Sequence, residues 1–114
     1  MLLRALLIAP ALIAGALPAN VQAAAAPPAF TARDKGHCTA CHQVSDAAAP
    51  ASRADLGPRL EGARMRELGR IRLRELIHDP TRANANTVMP PFGKHRILEP
   101  AEIDRIVEYL HALP

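Results

Sequence analysis

The chain has 114 residues, with 14 Lys and Arg against 11 Asp and Glu and a net charge of +3, enough for one small domain and too little charge to imply nucleic-acid binding. It contains no Trp, two Phe and one Tyr, so a core built from its own side chains is thin, and no interleaved aromatics support single-strand stacking. Its two cysteines leave a zinc site without a third thiolate.

The first segment reads as an export signal. Leu2 to Leu17 is apolar apart from Arg4, Pro10 and Gly15; Pro18 and Asn20 end the run, and Val21-Gln22-Ala23 has the small-x-small pattern of a cleavage point. The pattern predicts a signal peptide over 1–23 rather than a retained anchor, leaving a periplasmic chain of charge +2 once Arg4 is removed, with no membrane span. Residues 24–28, rich in Ala and Pro, read as a short tether, and 29–114 as the single domain. Ala29 to Lys35 is predicted to make about two helical turns, ending at Gly36. Gln43 to Leu56 reads as loop, and Gly57-Pro58-Arg59-Leu60 as a turn.

Glu61 to His78 is helical in pattern, with Gly62 and Gly69 expected to split it and Leu73, Leu76 and Ile77 forming its buried stripe. Asp79-Pro80 ends it, because the residue before a proline is pushed out of the helical region. Thr81 to Lys94 reads as a long loop. Pro100 to Leu113 is the clearest helix: Ile103, Ile106, Val107, Leu110 and Leu113 make one apolar face, and Pro100, Glu102 and Asp104 suit its first turns. No alternating strand pattern appears, so the fold class is small and all-α with long loops. Arg64, Arg66, Arg70, Arg72 and Arg74 form a basic segment with three readings: a solvated helix face, a docking patch for an acidic partner, or counter-charges for an anionic cofactor.

Cys38-Thr39-Ala40-Cys41-His42 carries the chemistry. A Cys-x-x-Cys-His run is the attachment site of a c-type haem. Two thiols three positions apart add to the two vinyl groups of the porphyrin, and the next residue places an imidazole beneath the iron. A thioredoxin-like dithiol would need a strand–helix context, and a simple disulfide would leave His42 unexplained. One covalent haem c also supplies the apolar bulk that the aromatic count lacks, so the chain without it is expected to fold poorly.

The opposite iron position has several candidates: Met65, Met89, His37, His78, His95 and His111. Met89 is the best by context, in Val88-Met89-Pro90-Pro91-Phe92-Gly93, where two prolines stiffen the loop. A thioether is a weak ligand and must be presented. Met65, in the Arg-rich helix, reads as core packing. His37 is too close to Cys38 to reach the far face, His78 suits a helix C-terminus, and His95 and His111 read as surface residues. Pro58 has two readings: a turn that brings a carbonyl beneath the His42 ring and fixes its orientation, or an ordinary loop turn.

These motifs, in this order, resemble the class I c-type cytochromes: Gly36-x-Cys38-x-x-Cys41-His42, Gly57-Pro58-x-Leu60, Met89 and the amphipathic last helix. The resemblance implies their small all-α fold wrapped around one covalent haem. More narrowly, Asp79-Pro80-Thr81-Arg82, Asn86 to His95, and Ile97-Leu98 onward through Tyr109-Leu110 resemble the SoxX family, mono-haem subunits of SoxAX complexes in bacterial sulfur oxidation. That resemblance covers about residues 33–113. It implies an electron-accepting subunit of a thiosulfate-oxidising L-cysteine S-thiosulfotransferase, paired with a SoxA-type diheme cytochrome that loads sulfur onto a carrier-protein cysteine and passes electrons to a downstream acceptor. Carried over, Cys38 and Cys41 hold the haem thioethers, His42 and Met89 are the axial ligands, and Pro58 orients His42. The chain offers no catalytic residues of its own; both thiols are used by haem. The alternative is a free electron shuttle serving an oxidase or reductase. Two features depart from the family: Pro27-Pro28 shorten the first helix, which is expected to weaken its packing on the last, and the 60–77 segment is unusually Arg-rich.

Overall fold

The computed structural model describes residues 25–114, so the predicted signal peptide lies outside the described residues. The described residues form three helices, α1 (Pro28–Thr31), α2 (Gly62–His78) and α3 (Pro100–His111), with 3-10 turns at Cys38–Ala40 and Pro80–Arg82. The described residues contain no strand, only one isolated parallel bridge between Val44 and Leu60.

Helix α3 follows directly from its sequence. Pro100 occupies the first turn, where no N–H is needed, and the Glu102 carboxylate accepts the Glu99 N–H at 2.9 Å, satisfying an otherwise orphaned donor. Its apolar stripe supplies the centre of the core, with Ile103 and Ile106 each 1% exposed. Helix α2 crosses it and contributes Met65, Leu73 and Ile77. Gly62 does not split α2; it is the first residue, set against the C-terminal backbone at Leu113. Gly69 does break it, at φ 76° and ψ 161°, a conformation open essentially only to glycine.

Helix α1 is shorter than the pattern predicts. Ala32 turns extended, and the chain folds back so that the Gly36 N–H reaches the Ala29 carbonyl at 2.9 Å. That return, rather than a second helical turn, delivers the chain to Cys38. The helix starts at Pro28, one residue inside the predicted tether. Its packing on α3 is nonetheless close. Phe30 is fully buried and meets Tyr109 edge-on, with ring centroids 5.0 Å apart and planes at 65°.

The basic segment is answered within the chain. Arg70 makes a two-pronged pair with Glu108, at 2.8 and 3.1 Å, Arg74 meets Asp104 at 2.7 Å, and Arg66 donates to the Leu113 carbonyl at 2.6 Å. Arg64 and Arg72 pair along the helix with Glu67 and Glu75, at 2.9 and 3.1 Å. Three of the five therefore fasten α2 to α3 or to the C-terminal residues.

These contacts differ in worth. Ile106→Ala should cost about 2–5 kcal/mol, because it opens a cavity in the core. Arg74→Ala should cost less than about 1 kcal/mol, because a solvated ion pair contributes little. Urea midpoints of the cofactor-loaded variants check both.

Candidate functional site

Two loops face each other across a crevice. On the first, His37 adopts a left-handed conformation (φ 43°) and starts a 3-10 turn closed by the Ala40 and Cys41 N–H groups on the His37 and Cys38 carbonyls, at 2.9 and 3.2 Å. The His42 N–H reaches the Cys38 carbonyl at 2.9 Å. One turn of this pitch brings positions i, i+3 and i+4 to one side. Cys38, Cys41 and His42 accordingly border a single cavity of about 670 Å³.

His42 is held from behind. Its Nδ1 lies 2.7 Å from the Pro58 carbonyl oxygen. A carbonyl only accepts, so Nδ1 carries a proton and donates it, and Nε2 is the ring nitrogen left for a metal. The returning loop is tied by the Leu60 N–H to Gln43 carbonyl bond (2.8 Å), the Ser45 N–H to Leu60 carbonyl bond (3.0 Å) and the Gly57 N–H to Cys41 carbonyl bond (2.9 Å). Position 57 must be glycine because a Cβ there would fall inside the His42 ring.

Met89 lies on the opposite loop, half-buried, its N–H donating to Thr87 Oγ1 at 3.1 Å, with Phe92 buried just beyond. The loop is closed at its base. The His78 carbonyl, left free at the end of α2, accepts the Gly93 and Lys94 N–H groups at 3.1 and 3.0 Å. Next to it, the Asp79 carboxylate accepts the Thr81 N–H at 3.2 Å and the Thr81 hydroxyl, and lies 3.4 Å from Lys94 Nζ.

A second cavity of about 250 Å³ adjoins the first and shares Cys38, His42, Pro58 and Met89 with it. Its inner wall is apolar, including Phe30, Leu73, Leu76, Ile106 and Leu110. Among the described residues, no buried side-chain nitrogen or oxygen lacks a hydrogen-bond partner, so the crevice suits an apolar body rather than a polar ligand. Both cysteines are free and half-buried. Burial pushes the Cys38 thiol up to about 12; its backbone hydrogen bond opposes the shift and the neighbouring Cys41 adds to it. A thiol kept neutral is a poor redox nucleophile and a poor zinc ligand, whereas a thioether has no proton to lose. An apolar slot with two thiols and an oriented imidazole at its edge fits a covalently attached haem.

The five residues named from the sequence, Cys38, Cys41, His42, Pro58 and Met89, all border this crevice. Met65 is 4% exposed and packs in the core beside the inner cavity. His37 lines the outer cavity, His78 and His95 are exposed, and His111 is half-buried with Nε2 3.3 Å from Arg70 Nη1. A family model described as cytochrome c matches residues 23–114. The chain belongs to the cytochrome c family. No individual curated protein matches it. As a class I cytochrome c, it is a haem electron-transfer protein with one covalent haem c, and it exchanges electrons with a partner. No helix among the described residues is long and apolar enough to cross a membrane.

The sequence reading missed the cluster at the base of the Met89 loop. Asp79 was legible as a helix stop and as part of the Asp79-Pro80-Thr81-Arg82 resemblance, with no role in the loop, although Asp-Pro-Thr also matches an Asp N-cap with proline at the first helical position. Lys94, fifteen positions on, gave no local signal. Donation from the Thr81 hydroxyl, reinforced by the Lys94 charge and opposed by burial, holds the Asp79 carboxyl below the usual carboxylate range. A lowered folded-state value stabilises the fold above the unfolded value of about 4, and that contribution is lost as pH falls through the folded one. Asp79→Asn should therefore be less stable than the parent at neutral pH, with a shallower loss of stability below about pH 5, read from urea midpoints across a pH series.

Proposed function

We propose that this cytochrome c is the mono-haem, electron-accepting subunit of a SoxAX-type thiosulfate-oxidising complex, acting in the periplasm. Cys38 and Cys41 hold the haem through thioethers, His42 and Met89 are its axial ligands, and Pro58 orients His42. The observation that carries the haem assignment is the convergence of all five on one crevice, with His42 Nδ1 already engaged by Pro58. The sulfur-oxidation assignment rests on the segment from Asp79 to His95, whose sequence resembles SoxX. The N-terminal pattern over 1–23 supports export.

When bound, haem c supplies a one-electron redox centre. The chain's residues set its surroundings. The Pro58 carbonyl polarises the His42 ring and strengthens it as a donor. A thioether opposite imidazole favours the reduced iron more than a second imidazole would, and the apolar inner wall acts in the same direction. Joining thiosulfate to a cysteine thiol releases two electrons and a proton: RSH + S₂O₃²⁻ → RS–S₂O₃⁻ + H⁺ + 2e⁻. With both of its own thiols in thioethers, this chain has none to offer as RSH. The reacting cysteine therefore belongs to another protein, which the SoxX resemblance implies is the sulfur carrier, and the electrons would leave through this subunit one at a time.

The alternative, a free electron shuttle, is supported by small size, a His/Met haem and a basic surface suited to salt-sensitive contacts. The arginines of 64–74 add little to that surface, since all five are engaged within the chain.

Met89→Ala should leave the haem attached, lower the reduction potential by on the order of 100 mV and open the iron to added ligands, whereas Met65→Ala should do none of these. Spectroelectrochemistry checks both, and an unchanged Met89→Ala spectrum would remove Met89 as ligand. A native pull-down of the tagged, haem-loaded protein from periplasm should recover a near-stoichiometric second haem protein with a cysteine beyond its haem-binding pairs. Recovery of a lone monomer with an intact His/Met spectrum would make the protein a diffusible carrier instead.

A further inference from the structure

Asp79 is the one buried charged side chain among the described residues, 7% exposed. Burying a carboxylate is costly, and a buried ion pair is weak support for stability in itself. The placement therefore calls for a reason other than packing. Its two oxygens divide their work. Oδ1 takes the Thr81 N–H and hydroxyl, on the limb leaving α2, and Oδ2 faces Lys94 Nζ at 3.4 Å, on the limb coming back. Met89 lies between the two limbs. The backbone adds a parallel closure, with the Gly93 and Lys94 N–H groups on the His78 carbonyl at 3.1 and 3.0 Å. A buried side chain at the root of the loop thus engages both limbs.

We propose that Asp79 is a positioning residue for the Met89 sulfur, a latch whose carboxylate keeps the 80–94 loop closed so that a weak ligand stays in place. The proposal rests on Met89 as an axial ligand. A thioether with little affinity of its own is displaced whenever its loop opens, so the occupancy of that ligand position follows the closure of the loop. The Lys94 side chain is 57% exposed and contributes the smaller share; the two Thr81 donors contribute the larger.

The test uses the ferric, haem-loaded full chain and imidazole as the competing ligand, with the reduction potential and the red sulfur-to-iron charge-transfer band as further readouts. Asp79→Ala should bind imidazole at least about tenfold more tightly than the parent, with a weakened band and a potential shifted toward that of Met89→Ala. Arg64→Ala, which loses only an exposed ion pair with Glu67 in the first turns of α2, should keep the parent affinity. If Met89→Ala opens the iron but Asp79→Ala retains the parent affinity and band, the latch is overturned while the ligand assignment stands. If Met89→Ala itself changes nothing, the ligand assignment fails and the latch fails with it. Should Asp79→Ala not hold its fold, Thr81→Val decides: it removes one donor to the same carboxylate, and an unchanged imidazole affinity there overturns the proposal.

Discussion

The crevice between the loop that carries His42 and the loop that carries Met89 is the feature on which the rest of the structure depends. A flat apolar group needs two opposed walls at a fixed distance, and in this chain both walls are loops. Loops have no regular hydrogen-bond ladder to stiffen them, so each must be fixed at its base. The 43–60 loop is fixed by the Val44–Leu60 bridge and the Gly57 N–H on Cys41; the 79–98 loop by the His78 carbonyl and Asp79. Helices α2 and α3 form the frame to which both bases are tied, which is why the chain's best-patterned helix makes up much of its core.

The arginines of 64–74 belong to that frame. A basic run on a helix invites a reading as a docking surface, but the partners here are intramolecular: Glu108, Asp104 and the Leu113 carbonyl clamp the two halves of α2, on either side of the Gly69 kink, onto α3 and the C-terminal residues. Each solvated pair is worth little alone. Their spacing along a kinked helix instead fixes which way each half lies. None of the five lines either crevice cavity, so none is placed to balance charge there.

Local physics made much of this legible. The Cys-x-x-Cys-His spacing fits one tight turn, the 3.6-residue period marks α3, and Asp79-Pro80 stops α2. Long-range closure was legible only in part: a carbonyl from the Pro58 turn beneath His42 is one of two readings, and nothing in the residues decides between them. The Pro58 carbonyl sits behind His42 because a bridge between Val44 and Leu60 folds the intervening loop back, and no residue pattern encodes that pairing. The length of α1 was misjudged for a similar reason: Ala and Arg favour helix at 32–33, but the Gly36 N–H on the Ala29 carbonyl wins by bringing Cys38 to the crevice. The same return lets a single turn of helix bury Phe30 against Tyr109, offsetting the shortness of α1.

One-electron exchange rewards a site that barely moves when its charge changes. Polar groups free to turn would reorganise with each electron and raise the barrier, whereas dipoles fixed in advance do not. Here two of the polar groups on the crevice lining are already committed, the Pro58 carbonyl to His42 and the Thr87 hydroxyl to the Met89 N–H. On the α3 side the Tyr109 hydroxyl donates to Asp46 at 2.8 Å; burial first, then that donation, pushes its ionisation above the usual tyrosine range, so the phenol stays neutral at the back of the core. Apart from Lys35, His37, Asn84 and Asn86 on the lining of the outer cavity, the remaining wall is largely aliphatic and aromatic and has no orientation to change. The economy in polar groups that makes this small domain depend on its cofactor for bulk also leaves that cofactor little to reorganise when an electron passes.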